Sequence, residues 1–420
     1  MIFDASRLRF TLLDLALRQF LNTLPDDAPA SVLIELHHAG DTAELLTLVP
    51  SAQLVGASSS GLFRALLTKA QVLGLETTAP KDLLYKIWLN HRVRALTSRS
   101  TSTIKADAAL TAFRASGKGI VWAVADSGIA PHSHFDTHQN LDLPPGLIHR
   151  DFTGGDSPLT DEFGHGTHVA GILAGQSLDD ESQRGIAPET KLVSLKVLGA
   201  DGEGEVSDIL AALDHIQQVN DFGRRLLIHG VNLSLGYEFD PEWFACGASP
   251  LCVQVDRLVH SGVCVVVAAG NSGYGPASTC LALTINDPAN AELAITVGST
   301  HRDRPHSYGV SYFSSKGPTG DGRLKPDLVA PGERIISCAS PVKAPPGVDW
   351  RTSYVEDSGT SMAAPHVSGA IAALLSVRCE FIGKTQAIKE IFLVSATDLH
   401  RDPHFQGKGL LNLFAALQER

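Results

Sequence analysis

The sequence predicts an α/β protein in which an open, mainly parallel β-sheet carries helices on both faces, preceded by a small α+β domain. Two observations predict the sheet. Apolar runs that suit strands alternate with helical runs from about residue 119 onwards, as in sheets with helices on both sides. Some of these runs, such as 263–269, are apolar throughout, which is typical of strands that are buried on both faces. At 420 residues and 44% hydrophobic content, the chain can form one large domain and a smaller one.

The first part of the chain has its own apolar periodicity. Its predicted elements are, in order, an amphipathic helix over 8–24, a strand over 31–36, helices over 62–73 and 81–89, and a short strand near Val93. The Ser- and Thr-rich run 97–103 then predicts an exposed linker. We therefore place the domains at 1–96 and 97–420.

The second domain supplies the strands and helices of the large sheet. The runs that alternate are 121–125, 169–174, 191–197, 208–219, 226–235, 252–260, 263–269, 294–297 and a helix over 362–375. Parallel sheets of this kind bind ligands at the carboxyl ends of their strands. Asp126, Gly236 and Asn271 each follow such a run, so we expect them to meet at one edge of the sheet.

Ser361 lies where the segment SGTSMAAPH (358–366) meets an alanine-rich run that predicts a helix. Gly359 allows a sharp turn, and Pro365 falls in the first turns of the helix. The backbone N–H of a serine at a helix N-terminus is unpaired and points at any oxyanion that forms there, and the helix dipole favours that negative charge. Serine also caps helices for structural reasons, so this segment alone leaves both interpretations open.

Two further segments carry the partners that a serine nucleophile needs. A base must take the hydroxyl proton, and a third group must hold the tautomer of that base. His165 lies in GHGTHVAG (164–171), and Asp126 ends an apolar run that predicts a buried strand. Asp126 taken alone has the alternative of capping a turn. His165 and His168 form a pair that suits zinc, but no third ligand follows at a recognisable spacing.

The chain is similar to the subtilisin family (subtilases) of serine endopeptidases. Its Asp, His and Ser segments follow the chain order of that family, which differs from the orders in chymotrypsin and in α/β-hydrolases. The resemblance covers most of residues 97–415 and rests on the segments at Asp126, His165 and Ser361 together with VLGADG (197–202), SLG (234–236) and AAGN (268–271).

The resemblance implies a role for each site residue. Ser361 would be the nucleophile, His165 the general base and then acid, and Asp126 the carboxylate that orients and stabilises the imidazolium. Asn271 would donate its side-chain amide to the oxyanion beside the backbone N–H of Ser361. Losing such a donor raises the barrier by roughly 3 to 4 kcal/mol, a magnitude known from subtilisin itself. The alternative function is a catalytically silent subtilase-like module that holds peptides in its groove.

The resemblance also implies how polypeptide substrates bind. In subtilases the peptide lies as an extended strand between two segments of the enzyme. The matching residues in this sequence are Gly202, Gly204, Ser234, Leu235 and Gly236. Glu203, Glu238 and Asp240 lie in or near these segments and suggest tolerance for basic residues in the substrate. Solvated loop carboxylates are an equally good interpretation of these three residues.

Subtilases commonly begin with a propeptide that assists folding and then blocks the cleft. Residues 1–96 resemble such an inhibitory and chaperone domain in position and in their final residues. A chain made as a zymogen would then cut itself after Leu96 or Arg94, with Arg99 less favoured. The alternative is a stable accessory domain that is never removed.

The remaining expectations concern metals, partners and location. The chemistry needs no cofactor, whereas structural calcium stays open with Asp136 as one candidate ligand. Insertions at about 280–290 and 341–354 are expected to shape the rim of the cleft. The net charge of −11 argues against a nucleic-acid partner. No apolar stretch long enough for a membrane span and no secretory signal is evident, so we expect a cytoplasmic protein with reduced thiols, with non-classical secretion still open.

Overall fold

The computed structural model divides the chain into two compact units, Met1–Arg94 and Ala95–Arg420. The residues that it describes are 12–55, 61–80, 82–90, 97–178, 180, 183–237, 245–274 and 282–419. The strand predicted near Val93 and the cleavage candidates Arg94 and Leu96 lie outside these ranges. The helix predicted over 8–24 is present as Leu15–Asn22, and its first four residues also lie outside them.

The first unit is a four-stranded antiparallel sheet with its own apolar core. Its helices are α1 (Leu15–Asn22), α2 (Thr42–Leu48) and α3 (Lys69–Thr78), and its strands are β1 (Pro29–Leu36), β2 (Gln53–Leu54), β3 (Leu62–Thr68) and β4 (Leu84–Leu89). The strands are ordered β2-β3-β1-β4 across the sheet. The strand predicted over 31–36 is therefore confirmed as β1.

The helix predicted over 62–73 is wrong for its first half. Phe63, Ala65 and Leu67 are buried while the residues between them are exposed, which is the period of two of a strand. Helix α3 begins only after Thr68, whose side chain accepts a hydrogen bond from the backbone N–H of Gln71 at 3.2 Å. The side chain of Gln71 accepts in return from the Thr68 backbone at 2.8 Å, which completes a capping box.

The predicted helix over 81–89 and the predicted linker are also wrong. Strand β4 replaces the helix, because its residues pair with β1 along one edge. The linker is instead the helix Thr97–Thr103, in which Ser100 and Thr101 are buried. The hydroxyls of Thr101 and Ser102 donate to the Asp107 carboxylate. The Thr103 hydroxyl donates to the carbonyl oxygen of Arg302, which is distant in the chain. Burial and these contacts together outweigh the low intrinsic helix propensity of serine and threonine.

The second unit is built on a seven-stranded sheet in which every neighbouring pair is parallel. Its strands are β5 (Val121–Asp126), β6 (Arg150–Asp151), β7 (Lys191–Lys196), β8 (Gly230–Leu233), β9 (Cys264–Ala268), β10 (Ile295–His301) and β11 (Leu328–Glu333), ordered β11-β10-β9-β8-β5-β7-β6. A separate antiparallel pair is formed by β12 (Ile335–Cys338) and β13 (Tyr354–Asp357). The predicted fold class is confirmed.

Helices cover both faces of this sheet. They are α4 (Thr97–Thr103), α5 (Ala106–Phe113), α6 (His165–Leu173), α7 (Val206–Val219), α8 (Pro250–His260), α9 (Pro305–Tyr308), α10 (Thr360–Val377), α11 (Thr385–Val394), α12 (Pro403–Gln406) and α13 (Leu413–Gln418). Along β5, Trp122 and Val124 join the core that contains α6 and α10, whereas Val121, Ala123 and Ala125 join the core that contains α7 and α8. Alternate residues of one strand thus serve two cores, which explains why the run is apolar throughout.

Helix α10 is the central helix of the second unit, and it begins two residues before the predicted range. It packs on strands β8 to β11 and on α6. Among the described residues it is also the one helix long and apolar enough to cross a membrane by length and composition, with 83% of its window buried inside the protein. Its apolar character is accounted for by this burial.

Candidate active site

The site residues predicted from sequence come from the carboxyl ends of three neighbouring strands and the amino ends of two helices. Asp126 is the last residue of β5, Ser234 directly follows β8, and Asn271 lies three residues past β9. His165 is the first residue of α6 and Ser361 is the second residue of α10. The carboxyl edge of a parallel sheet is where ligands of such folds bind.

Asp126 and His165 are in direct contact. Nδ1 of His165 lies 2.8 Å from Oδ1 of Asp126, and the carboxylate is almost fully buried. The Ser127 backbone N–H donates to the same oxygen at 2.8 Å. Burial disfavours the imidazolium, but the negative charge of Asp126, with smaller contributions from Asp357 and Asp161, raises the pKa of His165 above its usual value.

The approach of α6 to the end of β5 depends on Gly166. A Cβ atom at this position would lie 2.2 Å from the carbonyl oxygen of Gly128 and 3.2 Å from Oδ1 of Asp126. Gly164, the residue before the helix, has φ of +88°, a left-handed conformation that glycine adopts without strain. The glycines that flank His165 therefore place its ring against Asp126.

A second buried carboxylate, Asp161, was missed by the sequence analysis. It accepts hydrogen bonds from the Gly164 backbone (2.6 Å), the Thr167 backbone (2.8 Å), the Thr167 hydroxyl (2.6 Å) and the Ser127 hydroxyl (2.8 Å). Burial raises the pKa of Asp161, although these hydrogen bonds favour its charged form. Its position just before a helix N-terminus, where a negative charge is stabilised, was the available signal.

The hydroxyl of Ser361 is held by the segment that follows β8. It donates to the carbonyl oxygen of Ser234 at 3.0 Å, and the Ser234 hydroxyl donates to the carbonyl oxygen of Ser361 at 2.7 Å. Within the described residues, Ser361 makes no hydrogen bond to His165. Catalytic hydrogen bonds are often unformed in a resting enzyme, and rotation about one side-chain bond reorients the hydroxyl.

Asn271 is oriented by the residue before Ser361. Its Oδ1 accepts from the backbone N–H of Thr360 at 2.9 Å and from the Thr360 hydroxyl at 3.0 Å. Because the oxygen is engaged in this way, Nδ2 is left to donate elsewhere. This nitrogen lies 3.4 Å from where a Cβ atom on Gly359 would stand, close to the start of α10. Thr360 is a second functional residue that the sequence analysis missed.

The predicted substrate-binding residues surround one open cleft of about 420 Å³. The five residues named for this role, Gly202, Gly204, Ser234, Leu235 and Gly236, all line it. Phe163, His165 and Glu203 line it as well. The backbone groups of Leu235 and Gly236 form no hydrogen bond to other described residues, so they can pair with an extended peptide. Glu238 and Asp240 lie outside the described residues.

Asn286 also reaches the substrate segments, although no sequence motif marked it. Its side chain lies against Gly236 and Gly270, where added Cβ atoms would come within 3.5 Å of its Cβ and 2.7 Å of its Cγ, respectively. Asn286 belongs to the predicted insertion at 280–290. Residues 280 and 281 of that insertion lie outside the described ranges.

Among the described residues, Asp136 faces a cation. Its Oδ2 atom lies 3.6 Å from a guanidinium nitrogen of Arg351, and both side chains are about half exposed. In the described part of the chain, no group of three or more His, Cys, Asp or Glu side chains converges as metal ligands would. Among the described residues, a calcium site at Asp136 would therefore draw most of its ligands from backbone and amide carbonyls, which calcium also binds.

Comparison with known families finds a match over residues 117–412 to the family described as the subtilase family. The chain belongs to the subtilase family. The matched range contains Asp126, His165, Asn271 and Ser361. The resemblance inferred from the sequence motifs is confirmed.

Several proteins resemble this subtilase over most of their length. It is 34% identical over 344 residues to the serine protease AprX of Bacillus subtilis (strain 168), covering 78% of this chain and 73% of the relative. It is 32% identical over 303 residues to subtilisin DY of Bacillus licheniformis, covering 72% and 92%. A crystal structure of a cold adapted subtilisin-like serine proteinase matches with a TM-score of 0.52 and 28% identity, covering 71% of this chain and 89% of that one. The subtilase is a serine-type endopeptidase, and its chemistry requires no cofactor.

Proposed function

We propose that this subtilase hydrolyses peptide bonds through an acyl-enzyme intermediate, with Asp126, His165 and Ser361 as its triad. The observation that carries the proposal is the 2.8 Å hydrogen bond between Asp126 and Nδ1 of His165. This bond keeps the proton on Nδ1 and leaves Nε2 as the base. Ser361 lies in the first turn of α10 at the same edge of the sheet, as the proposed nucleophile requires.

In the first half of the reaction, the peptide lies extended along Leu235 and Gly236. The Ser361 hydroxyl leaves its contact with Ser234 and attacks the scissile carbonyl carbon, while its proton passes to Nε2 of His165. The oxyanion accepts hydrogen bonds from the backbone N–H of Ser361 and from Nδ2 of Asn271. The carbon–nitrogen bond then breaks, and the imidazolium gives its proton to the departing amine.

In the second half, a water molecule replaces the departed amine beside His165. Nε2 takes a proton from this water, and the oxygen attacks the acyl carbon. The same oxyanion donors stabilise the second tetrahedral intermediate. Collapse of this intermediate returns the proton to Ser361 and releases the new carboxyl terminus. Asp126 remains ionised throughout and stabilises the imidazolium in both halves.

The test of this proposal is labelling by a serine-directed fluorophosphonate. Wild type should be labelled and should cleave an unstructured protein substrate, and Ser361→Ala should do neither. Ser358→Ala is a matched control in the same segment, because Ser358 is exposed and its hydroxyl accepts a hydrogen bond from the Arg334 backbone, away from His165 and Asp126. Labelling of Ser361→Ala at the wild-type level would contradict the assignment, and a wild type without label or cleavage would favour the silent binding module.

We further propose that residues 1–96 form an inhibitory and chaperone domain that the enzyme removes from itself. The separate apolar core of the first unit supports a segment that folds as a domain. A cut after Arg94 or Leu96 is favoured over one after Arg99. Arg99 falls within α4, next to buried Ser100, whereas proteases bind extended segments.

Intact masses of wild type and Ser361→Ala, expressed side by side, test this self-processing. We expect a wild-type chain shortened by the mass of residues 1–94 or 1–96, and a full-length variant. Equal full-length masses would indicate a permanent accessory domain instead. Adding separately expressed residues 1–96 to the processed enzyme should inhibit it.

Two expectations from the sequence stay predictions. Structural calcium, with Asp136 as one candidate ligand, is the first of them, and a lower melting temperature with a chelator would reveal it. A cytoplasmic location with reduced thiols is tested by fractionating the source cells, and recovery of the processed enzyme from the medium would indicate secretion instead.

A further inference from the structure

The long connection between β12 and β13 brings a lysine to the rim of the cleft. Nζ of Lys343 lies 5.4 Å from the centre of the Phe163 ring, and that ring lies 6.4 Å from the ring of His165. A Cβ atom at Gly164 would lie 2.4 Å from Cγ of Lys343. The lysine stem therefore packs against the residue directly before His165, and Phe163 itself lines the cleft.

The ammonium group of Lys343 is positioned but not neutralised. Lys343 is exposed, and no carboxylate in the described part of the chain lies within ion-pair distance of its ammonium group. Glu203, which lines the same cleft, forms no ion pair with it either. The contact with the aromatic face favours a defined position for the charge. In a chain of net charge −11, a cation that no described carboxylate pairs, held over Phe163 at the cleft, is an attractive point for an anion.

We propose that Lys343 is a specificity-determining residue that favours peptide substrates with an acidic side chain next to the scissile bond. The inference rests on the proposed function, because it takes the scissile bond to lie between His165 and Ser361. An Asp or Glu side chain of the bound peptide that extends over Phe163 reaches the ammonium group. The stem of Lys343 lies along Gly164, so the charge stands at the cleft without blocking it.

The test uses peptides with one fixed cleavage site, in which Glu, Gln or Lys is placed in turn at the two residues before and the two residues after the scissile bond. Each is measured as kcat/KM with wild type, Lys343→Gln and Lys343→Glu at low and high salt. Lys118→Glu is the matched control, because Lys118 is exposed just before β5, at the amino edge of the sheet opposite the site.

At one of the four positions, we expect wild type to prefer Glu over Lys by about two- to fivefold at low salt, the range of an exposed ion pair. Lys343→Gln should remove the preference and Lys343→Glu should reverse it, with the Gln peptides cleaved equally by all variants. High salt should weaken the preference. The inference would be overturned if wild type and Lys343→Glu showed the same preference, or if Lys118→Glu reproduced the change. Either outcome would leave the proposed function standing. Failure of every enzyme to cleave the Gln peptides would overturn the proposed function and this inference with it.

Discussion

Single residues outside the predicted triad hold its members in place. Asp161 accepts three hydrogen bonds from Gly164 and Thr167 at the start of α6, which carries His165, and one from Ser127, which adjoins Asp126. One carboxylate thus joins the strand end and the helix start that the reaction must keep together. Asn271 is fixed in a comparable way by Thr360. The precision of the site depends on these supporting contacts.

Asp161→Asn should weaken both stability and catalysis. The asparagine side chain has one oxygen, and an NH2 group takes the place of the second carboxylate oxygen. The hydrogen bonds that the second oxygen accepts are therefore lost. We expect a loss of roughly 3 kcal/mol in unfolding free energy, as for two buried hydrogen bonds to a charged group. The kcat should fall about tenfold with little change in KM, because alignment rather than substrate binding is altered. Urea unfolding and steady-state kinetics measure both, with exposed Glu390→Gln as the control.

The acid limb of the pH profile should report the charge around His165. Protonated His165 cannot accept the Ser361 proton, so kcat/KM rises as the pH increases through its pKa. Nearby carboxylates raise that pKa, and Asp357 is one of them. Asp357→Asn should therefore move the acid limb to lower pH, whereas Glu390→Gln should leave it in place. A limb that does not move, or moves upwards, would contradict the electrostatic explanation.

At the level of elements, the site exists because α6 meets the end of β5 at very short range. Gly166 allows this approach, since the Gly128 carbonyl and Asp126 occupy the space where a side chain would stand. The Gly128 carbonyl is a backbone group and Asp126 is a buried strand residue, so neither can move aside easily. The distance between His165 and Asp126 is thus set by how closely two elements pack.

Gly166→Ala should force these two elements apart. We expect a loss of roughly 3 kcal/mol in unfolding free energy, at the upper end for overpacked positions. A fall in kcat of at least tenfold should accompany it, because the Asp126–His165 contact lengthens. Thermal unfolding and kinetics test this. The unfolding comparison is made in the inactive Ser361→Ala chain, which keeps residues 1–96, and Gly74→Ala in α3 is its control, since no atom lies within 4 Å of the new Cβ there. A stable, fully active Gly166→Ala would refute the packing argument.

Across the whole molecule, buried neutral histidines link stability to pH. Burial lowers the pKa of His134 to about 3, and the pKa values of His168 and His366 to about 4. The same groups have a pKa near 6.5 in the unfolded chain. The unfolded state therefore binds more protons over this window, so stability decreases as the pH falls from about 6.5 towards 4. His165, with its raised pKa, acts in the opposite direction.

Urea unfolding of the inactive Ser361→Ala chain should show this dependence. Each such histidine should contribute a slope of about 1.4 kcal/mol per pH unit near pH 5. His366→Gln should reduce the slope by about 1.4 kcal/mol per pH unit, which is the contribution of one proton. This holds whatever the substitution does to stability at pH 7.5. His260→Gln, which replaces an exposed histidine, should leave the slope unchanged. An equal slope with and without His366 would show that this group does not carry the effect.

Much of the fold followed from local pattern, and the errors share one cause. Continuous apolar runs marked β5 and β9, because strands buried on both faces need no polar residues. The strand β3 was missed because its run also contains residues that favour helices, and only its pairing with β1 decides its state. The Ser- and Thr-rich segment at 97–103 was predicted to be a linker, because its helix depends on partners that only the fold supplies, such as the Arg302 carbonyl that accepts from the Thr103 hydroxyl. Propensity is weak where such long-range contacts compete with it.

The sequence by itself determined the fold class and the subtilase family, and it predicted Asp126, His165, Asn271 and Ser361 as the site residues, because each lies in a short segment whose chemistry and spacing are local. Only the tertiary structure decided how these residues are supported. The roles inferred for Asp161 and Lys343 depend on neighbours distant in the chain, Ser127 for one and Phe163 for the other. The physical reason is that hydrogen bonds and charges act over a few ångströms in space, and folding alone determines which groups come that close.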